Sequence, residues 1–154
     1  MANHTKNIDR KNGTPNSINE MAAAGWTDRF DVDFSDIKDS KLTTDGDTLT
    51  VKLCSLPAGY AVKAACINVK TAFVTDGTLK ASLGSTSDPD GLVAAQDIKT
   101  AGIKAPVAGF APANAAGATG SDIVLQVATQ ANTGALSDIS NGKLAVLLQI
   151  VDVR

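Results

Sequence analysis

The chain has 154 residues, 44% of them hydrophobic, and its 14 Lys and Arg against 16 Asp and Glu give a formal net charge of -2. That length suits one compact core, and a pI of about 5.2 supplies no basic field for phosphate backbones or anionic lipid, so neither nucleic acid nor membrane is an expected partner. Aromatic residues make up 4%, too few for a platform on which nucleobases or sugar rings would stack.

Met1 to Pro15 is polar and mixed in charge, with Lys6, Asp9, Arg10 and Lys11, and it lacks the apolar centre of a secretory signal. With almost no apolar side chains to offset its ordering entropy, it reads as an arm. Ser17 and Glu20 have the spacing in which a hydroxyl and a carboxylate satisfy backbone donors at a helix start. A turn or two of helix is expected through Ala24, stopped by Gly25. Residues 1–28 are therefore expected to form an arm with a short helix and 29–154 a β-sandwich domain, with Trp26 as the packing anchor between them.

From Arg29 the apolar period becomes two. Phe30, Val32 and Phe34 alternate with Asp31 and Asp33, as a strand with one buried face requires. Asp36 to Asp47 is polar and ends in the turn signal Asp45-Gly46-Asp47. Thr48 to Ser55 is the second strand, with Leu49, Val51 and Leu53 on one face. Leu56-Pro57-Ala58-Gly59-Tyr60 is a turn, and Ala61 to Val74 returns as a long strand with Ala65, Ile67 and Val69 on one face. If that turn closes a hairpin, Cys54 and Cys66 lie equidistant from it and could face each other; otherwise they are two small buried hydrophobes.

Asp76-Gly77 leads to a strand in which Leu79, Ala81 and Leu83 alternate with Lys80 and Ser82. Ser85 to Gly91 is a loop, Leu92 to Ala95 a brief strand, and Gln96 to Gly102 fits helix or strand. Ile103 to Gly120, with two prolines, three glycines and many alanines, reads as a long surface loop with Val107 and Phe110 as its large apolar residues. Ile123, Leu125 and Val127 restart the alternation, and Gln130 to Asn141 is a polar connection. In Gly142 to Val153 both alternating sets are largely apolar, as in a strand at the middle of a sheet or beneath a neighbouring subunit. That run, Leu144 to Val151, is interrupted by Gln149 and falls short of the roughly 18 apolar residues that span a bilayer. Seven or eight strands with turn signals every 8 to 14 residues predict an all-β antiparallel sandwich, a jelly roll or related Greek key.

No catalytic constellation emerges. His4 is the sole histidine and lies in the arm, where nothing would fix its ring beside a nucleophile. The carboxylate pairs Asp31 and Asp33, Asp45 and Asp47, and Asp88 and Asp90 are read as solvated acids on polar faces or turns. Asp88-Pro-Asp-Gly91 opens like a calcium loop, but its twelfth position is Lys99, not Glu. No cofactor, metal or catalytic residue is expected, and the chain is read as no enzyme.

Three runs, Asp47-Thr-Leu-Thr-Val-Lys-Leu-Cys-Ser-Leu-Pro-Ala-Gly-Tyr60, Ile67-Asn-Val-Lys-Thr-Ala-Phe73 and Leu79-Lys-Ala-Ser-Leu-Gly-Ser-Thr-Ser-Asp-Pro-Asp-Gly91, together resemble small jelly-roll structural proteins of tailed bacteriophages, of the head decoration or cement type. The resemblance spans about Asp47 to Gly102 and the C-terminal strand. It implies a catalytically inert virion protein, made in the host cytoplasm, that stabilises a capsid surface. The major capsid protein would be its partner, and the resemblance favours a trimer over a dimer as its homo-oligomer. The expected assembly contacts are Trp26, Phe110, Ala115, Ala118, Val151 and Val153; Ala115 and Ala118 would let loops of neighbouring copies approach closely. The alternative reading is a receptor- or carbohydrate-binding module of a phage tail or neck or of a cell surface, since a sandwich does not decide function.

Overall fold

The computed structural model describes residues 3–7, 26–44, 46–104, 121–130 and 134–152. Nine strands lie in these residues: β1 (Asn3–Asn7), β2 (Asp28–Asp33), β3 (Thr48–Leu56), β4 (Tyr60–Val74), β5 (Thr78–Ser85), β6 (Val93–Asp97), β7 (Gly102–Lys104), β8 (Ser121–Gln130) and β9 (Asn141–Asp152). One sheet has the order β1-β3-β8-β5-β6 and the other β2-β9-β4-β7. From β2 onward every connection but β5 to β6 changes sheets, and the two four-strand orders that result are those of a jelly roll. The core between them is a continuous apolar cluster including Phe30, Val51, Ile67, Leu83, Leu125 and Val146. Among the described residues no helix is long and apolar enough to cross a membrane.

β1 lies within the stretch read as an arm. It pairs with β3 in parallel, from Asn3 beside Thr48 to Asn7 beside Lys52. An edge strand needs only a backbone ladder, so its lack of apolar side chains does not bar it from the sheet. The helix expected over Ser17 to Ala24 lies outside the described residues, as does most of the loop from Ile103.

Phe34 does not continue β2, contrary to the alternation. The Asp33 carboxylate accepts from Ser35 N at 2.8 Å while the Asp36 carboxylate accepts from Asp33 N at 3.0 Å, a reciprocal cap that starts the helical turn α1 (Phe34–Ile37). The stretch after it is not simply polar either, since Ile37 and Leu42 are fully buried in the core. Across from it, the connection between β8 and β9 forms a 3-10 turn, Leu136–Asp138, that buries Leu136 and Ile139. The two connections are tied by Ser137 N donating to Leu42 O at 3.1 Å and Asp39 N to Leu136 O at 3.4 Å. They close one end of the sandwich. Isolated apolar residues in polar stretches have no period to announce them, yet the gap between two sheets must be filled.

The Pro57 to Tyr60 turn forms, with Tyr60 N on Pro57 O at 3.2 Å and Gly59 at φ 83°, a left-handed angle that glycine adopts without penalty. It is not a hairpin. β3 and β4 belong to different sheets, so Cys54 stands beside Ile123 and Cys66 beside Leu147, each a buried thiol. The bulge at Lys52/Cys54 places adjacent residues out of strict alternation, which is why Leu53 and Cys54 both join the core.

β5 and β6 form the one hairpin of neighbouring strands in the described fold. Its loop folds on itself: Asp88 O accepts from Ser85 N at 2.9 Å and Gly91 N at 3.2 Å, and Leu92 N returns to Leu83 O at 2.9 Å. A Cβ at Gly84 would sit 2.0 Å from Asp88 O, so only glycine lets this acidic loop close over the strand. Asp47 is also not solvated. It is 2% exposed, and its carboxylate accepts from Thr44 N at 3.1 Å. Asp45 lies outside the described residues.

Candidate functional site

Register decides which side chains leave the core. On β9, Leu144, Val146 and Leu148 face inward with Phe30 and Val32 of β2 and Ala65, Ile67 and Val69 of β4. The alternate set faces out: Ala145 between Asp31 and Asn68, Leu147 between Arg29 and Cys66, Gln149 beside Ala64, and Val151 beside Ala61. Beside Arg29, Asp31, Asn68 and Gln149, this outer face carries a set of small and apolar side chains. Ala61, Cys66 and Ala145 are 0%, 6% and 1% exposed although they point away from the core, and Leu147, Gln149 and Val151 are half-buried. Burial pushes the Cys66 thiol above its ordinary range, against the opposing charge of Lys70. At the sheet edge Ile103, beside Asn68, is 72% exposed. The ion pair on this face is along one strand: Arg29 Nε and Nη2 donate to Asp31 Oδ1 at 3.0 and 2.8 Å.

The opposite outer face is polar. Thr5, Thr50, Gln126 and Ser82 stand side by side across β1, β3, β8 and β5. The next outward row holds Lys52, Val124 and Gly84, with Val124 buried where the Asp88–Pro89 loop closes over Gly84. Asp122 ends the face; its Oδ1 accepts from Ser55 Oγ at 2.8 Å and meets Lys52 Nζ at 3.1 Å. Those contacts, the Ser55 hydroxyl first, hold its carboxyl below the usual range.

Of the expected contact residues, Val151 falls on the apolar outer face and Trp26 is half-buried just ahead of β2. Phe110, Ala115, Ala118 and Val153 lie outside the described residues. The same outer face also carries Ala61, Ala64, Cys66, Ala145, Leu147 and Ile103. The sequence carried the signal for two of these six, Ala145 and Leu147 in the second apolar set of β9. It had no means of knowing that β4, with its alternating Ala and Cys, is the neighbour of β9.

His4 is not loose. Its Nδ1 donates to Asp39 Oδ2 at 2.9 Å, tying β1 to the loop after α1. Among the described residues no group of three His, Cys, Asp or Glu side chains could hold a metal ion.

Comparison with protein-family models finds no match, and comparison with curated proteins finds none. Among solved structures, a chain described as "Capsid of Ralstonia phage GP4" is similar with a TM-score of 0.47 and 18% identity, covering 81% of this chain and 83% of that one. A likeness of that degree carries no assignment of role.

Proposed function

We propose that this chain is a non-enzymatic virion structural protein that decorates and stabilises a bacteriophage capsid through subunit contacts, with the major capsid protein as partner and copies of itself as neighbours. The observation that carries the reading is the outer face of the β2-β9-β4-β7 sheet. A solvated antiparallel sheet alternates apolar with polar residues, whereas this one turns Ala61, Ala64, Cys66, Ala145, Leu147 and Val151 outward. Ala64, Leu147 and Val151 keep part of their surface accessible around the covered Ala61, Cys66 and Ala145, and apolar surface of this kind serves protein contact. The resemblance of the three central runs to phage cement proteins supports the same reading.

The test is cosedimentation of the purified chain with phage heads that lack their decoration. Retention at a fixed copy number per capsomer is the expected result. Val151→Asp, at the half-buried end of the apolar face, is expected to lower retention at least tenfold, the effect of about 1.4 kcal/mol at a contact, while its thermal unfolding stays cooperative. No retention on heads, together with specific signal on a glycan array, overturns decoration in favour of carbohydrate binding.

A further inference from the structure

The first strand is held by its backbone ladder rather than by the core. β1 reads Asn-His-Thr-Lys-Asn and brings no apolar side chain to the core. Among its described contacts are the five-residue ladder on β3 and the hydrogen bond from His4 to Asp39, whose side chains are 37% and 13% exposed. Strands secured by exposed backbone bonds and little apolar burial open at small free-energy cost. The pairing is also out of pattern: among the described strands it is the one parallel pair, the other six being antiparallel.

The connection allows more than the observed placement. β1 sits at the edge of one sheet and the next strand, β2, at the edge of the other. Residues 8–27 join them, and about 20 residues have a maximum reach of roughly 65 to 70 Å, well beyond the roughly 10 Å between packed sheets. The β3 edge of a second copy offers the same backbone groups and the same Asp39. A β1 placed there would recover every contact it makes at home, the condition under which an element exchanges between protomers.

We propose that β1 is an exchangeable strand: in the assembled protein, Asn3–Asn7 of one copy pairs in parallel with β3 of a second copy, with His4 reaching that copy's Asp39. The inference goes beyond capsid decoration, because it requires copies of this chain to meet and requires no particle. Its failure and the failure of decoration are therefore separable.

Thr5 and Thr50 are register partners on the same outward face, and neighbouring strands are about 4.8 Å apart, inside the Cα range of a disulfide. Thr5→Cys and Thr50→Cys chains carrying different tags are coexpressed, purified without particles, oxidised, and separated under denaturing, non-reducing conditions. Cys54 and Cys66 are buried, and wild-type chains with the same two tags measure their background. The expected result is a covalent dimer containing both tags, at least tenfold above that background. Removing residues 1–7 is expected to reduce the oligomer to monomers in light scattering while unfolding stays cooperative. Lack of the mixed dimer overturns the proposal, whether the double variant Thr5→Cys/Thr50→Cys closes within one chain or does not close at all.

Discussion

On the outer face of one sheet Thr50, Gln126 and Ser82 lie side by side, while the equivalent row on the other reads Arg29, Leu147 and Cys66. Both sheets have the same alternation inward, and both inner faces are filled by Leu, Val, Ile and Phe. Outward, one face is organised by hydroxyls, an amide and the Ser55–Asp122–Lys52 cluster, and the other by methyls and a thiol set beside the Arg29–Asp31 pair. A jelly roll fixes only what points into the sandwich. The residues that point out are free to differ, and in this chain they give one sheet a polar outer face and the other a more apolar one.

A charge placed on each face separates them most strongly. Ala145 is 1% exposed and stands beside Asp31, so Ala145→Asp buries a carboxylate next to another and is expected to cost on the order of 3 kcal/mol in denaturant unfolding. Gln126→Asp, on the polar face, is expected to stay within about 0.5 kcal/mol of the parent. Equal losses would erase the distinction between the faces.

Thiol chemistry reads the same contrast kinetically. Cys66 is 6% exposed and its thiol is pushed up by burial, so iodoacetamide at neutral pH is expected to modify it roughly 100-fold more slowly than a Gln126→Cys thiol, because the thiolate is the reacting form and must be accessible. In denaturant the two rates are expected to converge.

The smallest effect is electrostatic. Asp122 has its folded value lowered, first by the Ser55 hydroxyl and then by Lys52. The folded protein therefore releases that proton more readily than the unfolded chain, and the stabilisation is present above about pH 3.9 and lost as pH falls through the folded value. Ser55→Ala removes the main cause, and because the group is exposed the loss at pH 7 is expected to stay within about 1 kcal/mol. The difference between variant and parent is expected to vanish in acid. Asp33 and Asp97, lowered first by the hydroxyls of Ser35 and Thr100, move stability in the same direction.

The strands were legible because period two is a local signal. Leu49-Val51-Leu53, Leu79-Ala81-Leu83 and Ile123-Leu125-Val127 all face the core. Phe34 misled because the cap made by Asp33 and Asp36 outweighed a continued alternation. Ile37, Leu42, Leu136 and Ile139 escaped notice because single apolar residues carry no period, although each closes the sandwich. The apolar outer set was partly legible: β9 announced its second apolar set, but Cys66 and Ala61 joined it only through pairing with a strand about 80 to 90 residues away, a separation no local pattern spans.

By itself the sequence determined the class, an all-β sandwich with a doubly apolar final strand, because side-chain alternation follows from backbone geometry alone. The strand order, the separation of Cys54 from Cys66 onto different sheets, the place of β1 on the β3 edge, and the assembly of an apolar outer face were decided by the tertiary structure. Each depends on which distant strand supplies the partner, and that choice is made by closing two sheets over one core.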